Sequence, residues 1–118
     1  MTIYKICTAA EWNDAVRDGA YRGSAVDRRD GFIHFSTATQ VRDTAAKHFA
    51  GVSDLVLVGI DDARLGDHLG AALRWEPSRG GALFPHLYTP LPTDAATSVT
   101  PLPLAADGRH RFPDWLDQ

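Results

Sequence analysis

One cysteine, Cys7, stands among 118 residues. A single thiol closes no internal disulfide, so the expected setting is a reducing cytoplasm. Cys7 sits among apolar neighbours in "TIYKICT", where a small buried hydrophobe is favoured over a nucleophile. Long apolar runs are missing too. No window approaches the ~20 residues of a membrane span, and "MTIYKIC" has no extended apolar region of the signal-peptide kind. Excess positive charge is also absent: 12 Lys and Arg face 15 Asp and Glu, for a formal charge of -3. That balance argues against general nucleic-acid binding, which needs basic side chains to displace counterions.

The catalytic signatures that can be read by eye are missing as well. The five histidines, His34, His48, His68, His86 and His110, form no short zinc-type spacing, and no metal is expected. No glycine pattern frames Ser36, Ser78 or Thr37 as an elbow nucleophile. There is no phosphate loop or dinucleotide fingerprint, and no internal repeat or linker.

What is present fits one domain over residues 1–118, with 44% hydrophobic and 23% charged residues. Residues 2–7 read as a strand. Thr8 and Glu11 have capping-box spacing ahead of a helix over 9–18, which Gly19 ends. The charged stretch 20–30, "AYRGSAVDRRD", reads as a solvated, irregular loop at the rim of whatever the next strand builds. "GFIHFS", 31–36, alternates as a strand with Phe32, His34 and Ser36 on one face. Thr37 and Gln40 form a second capping-box pattern ahead of a helix that Gly51 stops.

"DLVLVGID", 54–61, has the continuous apolar character of a strand buried on both faces. "DARLGDHL" reads as a turn or a single helical turn. A strand is expected at 72–76 and a loop at "PSRGGA". "LFPHLY" is strand-like, with its proline pointing to an edge. Further strands are expected around 96–102 and 109–112, with a turn at Asp107-Gly108. The fold class is therefore α+β: a mostly antiparallel sheet with two N-terminal helices.

The chemistry-bearing residues gather in three stretches. His34 and Ser36 lie in "GFIHFST". Arg74, Glu76, Ser78 and Arg79 lie in "RWEPSRGG", and His86 and Tyr88 in "LFPHLY". Arginine forks match phosphate or carboxylate oxygens, and a glutamate can act as base or accept from a sugar hydroxyl. Alternation places Arg74 with Glu76, and His86 with Tyr88. Each histidine has a plain alternative as a hydrogen-bonded structural residue, and Arg74 with Glu76 as a surface ion pair. Two imidazoles on separate strands are best explained by one shared cleft.

"IYKICTAAEW", "GFIHFSTATQV", "DLVLVGID", "LRWEPSRGG" and "LFPHLY" together resemble the bacterial domain-of-unknown-function 952 family, over about residues 2–112. In that family glycine commonly follows the "PHLY" segment; Thr89 stands there in this chain. The resemblance implies a split sheet similar to the ADP-ribosyltransferase fold, with a cleft that binds NAD in the wider group. His34 and Ser36 would then line the nicotinamide pocket. The acidic, ribose-orienting role would fall to Glu76, or its place be taken by His86. Tyr4 and Lys5 stand where many active members carry an arginine or a His-Gly-Thr.

Three functions follow as expectations. In the first, the chain is an enzyme acting on an ADP-ribosyl or other phosphorylated nucleotide. Its catalytic residues would be His34, Glu76 and His86, its ligand-binding residues Ser36, Arg74, Ser78, Arg79 and Tyr88, and its cofactor NAD. The second is a non-catalytic module that binds a small anionic metabolite in the same pocket. The third is an interaction protein docking through "PLPTDAATSVTPLPL".

Overall fold

The most apolar segment organises the molecule. β5 (Leu55–Asp61) runs between β1 (Thr2–Thr8) and β9 (Ala96–Leu102), antiparallel to both, and β4 (Ser36–Thr37) closes the far side of β1. In this computed structural model, which describes residues 1–117 without the side chains of Arg79 and Asp117, Leu57 and Val58 are both 0% exposed. A strand covered on both faces needs apolar residues at consecutive positions. Val56, Val58 and Ile60 pack on one side with Ile3, Cys7, Trp12 and Ile33. Leu55 and Leu57 pack on the other with Tyr4, Ile6, Val41 and Leu102.

A second sheet has three antiparallel strands in the order β3 (Ile33–His34), β7 (Leu83–Leu87), β6 (Leu73–Pro77). The segment 33–37 thus serves both sheets, first as β3 and then as β4. A short ribbon pairs β2 (Ala20–Tyr21) with β8 (Leu91–Pro92). All strand pairs are antiparallel.

Four helices are described rather than the two expected: α1 (Ala9–Asp18), α2 (Ala25–Asp30), α3 (Val41–His48) and α4 (Gly66–Ala72). α1 keeps its expected bounds. Thr8 Oγ1 accepts from the Glu11 N–H at 3.0 Å, Glu11 Oε1 accepts from the Thr8 N–H at 3.0 Å, and Gly19 closes the helix at φ 90°.

The stretch 20–30 is not an irregular loop. It holds β2 and α2, because Ser24 and Asp27 form their own capping box: Ser24 Oγ accepts from the Asp27 N–H and Asp27 Oδ2 from the Ser24 N–H. The box expected at Thr37 forms by half. Gln40 Oε1 accepts from the Thr37 N–H, but Thr37 Oγ1 bonds Thr39 Oγ1 instead, and α3 begins four residues on at Val41. It ends at His48, ahead of Gly51, whose φ of 73° shapes the following turn.

Pro85 lies in the central strand of its sheet, not at an edge. Its carbonyl accepts from the Phe35 N–H at 3.0 Å, so its nitrogen faces the same neighbour. A proline nitrogen has no proton to return, and the strand expected over 31–36 breaks at Phe35 into β3 and β4. "DARLGDHL" becomes a 3-10 turn, Asp62–Arg64, followed by α4. The loop at "PSRGGA" includes a 3-10 turn, Arg79–Gly81. Residues 109–112 contribute one bridge, Leu104 with His110, rather than a strand, and the turn at Gly108 is formed.

Tyr21, 2% exposed and 6.0 Å from the Trp12 ring, buries a hydroxyl with no hydrogen-bond partner among the described atoms. An unsatisfied buried hydroxyl costs stability. Tyr21→Phe is expected to stabilise the protein by about 1 kcal/mol in urea denaturation; a destabilised variant would contradict that reading.

Candidate functional site

Where the two sheets share the segment 33–37, a cavity of about 700 Å³ opens. It is bounded by β1, α2, β3, β4, α3 and β7, and its apolar wall comes from Tyr4, Phe35, Phe49 and Phe84. His34, Ser36, Ser78 and His86 all line it. The register explains why distant segments meet there: β3 and β7 place His34 directly opposite His86, with ring centroids 5.6 Å apart.

The cavity also holds a network that reading the sequence missed. Lys5 and Asp27 are 6% and 2% exposed, and Lys5 Nζ lies 3.0 Å from Asp27 Oδ1 and 2.8 Å from Oδ2. Asp27 also accepts from the backbone N–H groups of His34 and Ser24. The His34 ring adds a third link, with Nδ1 2.6 Å from Asp27 Oδ1. Burial alone would raise the Asp27 pKa, but the His34 ring and the Lys5 ammonium outweigh it and hold the carboxyl well below its ordinary 3.8.

The capping role of Asp27 was written in the spacing Ser24-x-x-Asp27. Its pairing with Lys5 was hinted at by one feature: Lys5 alternates with Ile3 and Cys7 on a core-facing side of β1. That side excludes water, so the lysine requires a buried counter-charge.

His34 carries a second carboxylate. Its Nε2 lies 3.0 Å from Asp30 Oδ2. Arg29 Nε holds the other oxygen of Asp30 at 3.0 Å, and that bond keeps the Asp30 pKa low.

The remaining candidates sit beside the cavity on the face of β6 and β7 that carries His86. Glu76 Oε1 lies 2.9 Å from His86 Nδ1 and accepts from the Tyr88 hydroxyl at 2.6 Å. The Tyr88 and His86 bonds hold the Glu76 carboxyl below its usual range, and the bond to Glu76 raises Tyr88. Phe32 stacks on His86 at 4.1 Å, and the Arg74 guanidinium lies 4.8 Å from the Tyr88 ring centre. Arg74, Glu76 and Tyr88 are outside the cavity lining. The Arg79 side chain lies outside the described residues. Cys7 is buried and its thiol is pushed up to about 12 by burial, which removes it from nucleophilic chemistry.

Each histidine thus has its Nδ1 on a carboxylate, His34 on Asp27 and His86 on Glu76. A carboxylate at Nδ1 fixes the ring; it leaves Nε2 as the working nitrogen of His86, whereas Nε2 of His34 is held by Asp30. The arrangement can donate hydrogen bonds to an anionic ligand and can move a proton.

Two antiparallel sheets joined through one segment, with an oriented pair of imidazoles at the junction, define an α+β protein with an inter-sheet cleft. Residues 6–99 match the family described as "Protein of unknown function (DUF952)", and the chain belongs to that family. It is similar to protein CC0527 from Caulobacter crescentus. The crystal structure of that protein is 47% identical over 100% of both chains, with a TM-score of 0.90. Its solution NMR structure is also 47% identical, over 97% of this chain and 95% of that one, with a TM-score of 0.82. No curated protein matches the chain.

Proposed function

We propose that the cleft binds a phosphorylated nucleotide of the ADP-ribosyl class, NAD among them, within a fold related to the ADP-ribosyltransferases. One observation carries the reading: a buried Lys5–Asp27 pair, joined by the half-exposed His34 ring, opens onto a cavity of about 700 Å³. Burying two ionisable groups costs more than an apolar core would. Placing them where a ligand can reach them gives that cost a use. The volume falls within the ~300–1,000 Å³ of small-molecule sites. Tyr4, Phe35, Phe49 and Phe84 supply apolar walls for a flat base, and His34 and Ser36 supply polar contacts at the junction.

For a transfer reaction, positive charge would develop at the ribosyl carbon and a carboxylate would stabilise it. Glu76 reaches the cavity through His86, and Asp27 and Glu11 line it. His86, held by Glu76, is the acid/base group of this reading. A non-catalytic, metabolite-binding module is the second reading. It is favoured by the mutual satisfaction of Lys5, Asp27, His34 and Asp30, which leaves none of these four poised for turnover.

Long incubation with NAD followed by chromatography separates the two readings. Nicotinamide release that Glu76→Gln abolishes, with the fold intact, supports the enzyme. Calorimetric binding without product supports the module. Absence of both binding and product removes the nucleotide reading altogether.

A further inference from the structure

His34 is unusual in facing two carboxylates at once: Asp27 at Nδ1, 2.6 Å away, and Asp30 at Nε2, 3.0 Å away. A carboxylate has no proton to give, so both ring nitrogens face acceptors. The two partners are not equivalent. Asp27 is buried and has Lys5 and two backbone N–H groups besides His34. Asp30 is far more open, with 31% of its side chain exposed, and its described partners are His34 and Arg29.

Asp30 also occupies the last position of α2. That end of a helix presents unpaired carbonyl oxygens and disfavours negative charge. The helix therefore gives Asp30 no electrostatic reason to be acidic, whereas the adjoining cationic groups do. Arg29, Asp30 and His34 all line the cavity.

The geometry points to a phosphate subsite formed by the Arg29 guanidinium and His34 Nε2, in which the Asp30 carboxylate now sits as an internal stand-in for a ligand phosphate. The inference rests on the nucleotide reading of the cleft and deepens it by assigning the phosphate end. A carboxylate bridging a guanidinium and an imidazole occupies the place that a phosphate's oxygens would take, since both anions accept from the same two donors. With Asp30 swung aside, the Arg29 guanidinium and His34 Nε2 lose the acceptor they share, while Lys5 keeps Asp27. Those two sites are then open to another anion. Asp30 competes with every ligand at this point, and its displacement is an internal cost of binding.

Calorimetric titration of wild type, Asp30→Asn and Arg29→Gln with ADP-ribose, and with adenosine as a phosphate-free probe, tests the subsite. Asp30→Asn removes the competing charge and is expected to tighten ADP-ribose by about tenfold, the worth of one charge-assisted hydrogen bond, with adenosine unchanged. Arg29→Gln is expected to weaken ADP-ribose and leave adenosine alone. Both positions are solvent-facing, and circular dichroism of each variant checks that the fold is kept. If wild type binds ADP-ribose and Asp30→Asn binds it no better, the stand-in is overturned and the cleft reading survives. If ADP-ribose and adenosine shift together, the subsite is not at Arg29 and His34. If no variant binds ADP-ribose, the inference and the cleft reading fall together.

Discussion

Asp27→Ala is expected to cost about 3–5 kcal/mol of folding stability, the range for removing one partner of a buried ion pair. The expectation follows from what the substitution strands. Lys5 Nζ loses both carboxylate contacts on a side chain only 7% exposed. The N–H groups of Ser24 and His34 lose their acceptor, and α2 loses half of its capping box. A domain of this kind holds only about 5–15 kcal/mol in total, so the variant should be close to unfolding at room temperature.

The double variant Lys5→Met with Asp27→Leu removes both charges together. It should recover a large part of the loss, since an apolar pair carries no desolvation penalty. The same carboxylate sets an acid limit. Its folded pKa lies below the ordinary 3.8, so its contribution is fully present above that value and is lost as pH falls through the folded pKa. Urea denaturation across pH reads both effects. An Asp27→Ala variant within about 1 kcal/mol of wild type, the range of an exposed ion pair, would show that the network does not support the fold.

His34→Ala should weaken ADP-ribose by about 10- to 100-fold, as loss of a hydrogen bond to a charged phosphate requires. The fold should tolerate it better than Asp27→Ala, because Lys5 and Asp27 keep each other and the Asp27 carboxylate keeps both backbone donors. Binding and stability thus separate: Asp27 dominates the second, His34 the first. The sign is opposite to that expected for Asp30→Asn, although Asp30 and His34 touch. Calorimetry on His34→Ala with an unchanged dissociation constant would place the ligand elsewhere.

The parts of this fold that could be read in the sequence are those fixed by neighbours along the chain. α1 was legible because Thr8, Glu11 and Gly19 mark both ends. β5 was legible because a doubly covered strand has to be apolar throughout, and β9 occupies the residues 96–102 expected of it. α2 was hidden because its six residues carry four charges, "DRRD", which resemble a solvated loop. Whether Asp27 faces water depends on Lys5, 22 positions earlier. Pro85 misled for a related reason. A proline is tolerable in a central strand where its neighbour stops pairing, and that depends on the break at Phe35.

The site divides along the same line. Alternation paired His86 with Tyr88 and Arg74 with Glu76, and the cross-strand register brought His34 to His86. The Lys5–Asp27 pair, 22 positions apart, contributes through a contact that no spacing along the chain encodes, and Asp30 was hidden with the rest of α2.

The central claim is that the inter-sheet cleft is a nucleotide site. Its most direct test is a titration of the isotope-labelled protein with NAD and ADP-ribose, following backbone amides and histidine rings by NMR. The account predicts shifts confined to the cavity: the rings of His34 and His86, and the amides of Ser36, Asp27 and Asp30. His68 and His110, which do not line it, should stay still. Absence of any shift at millimolar ligand, or shifts scattered away from the cavity lining, would contradict it.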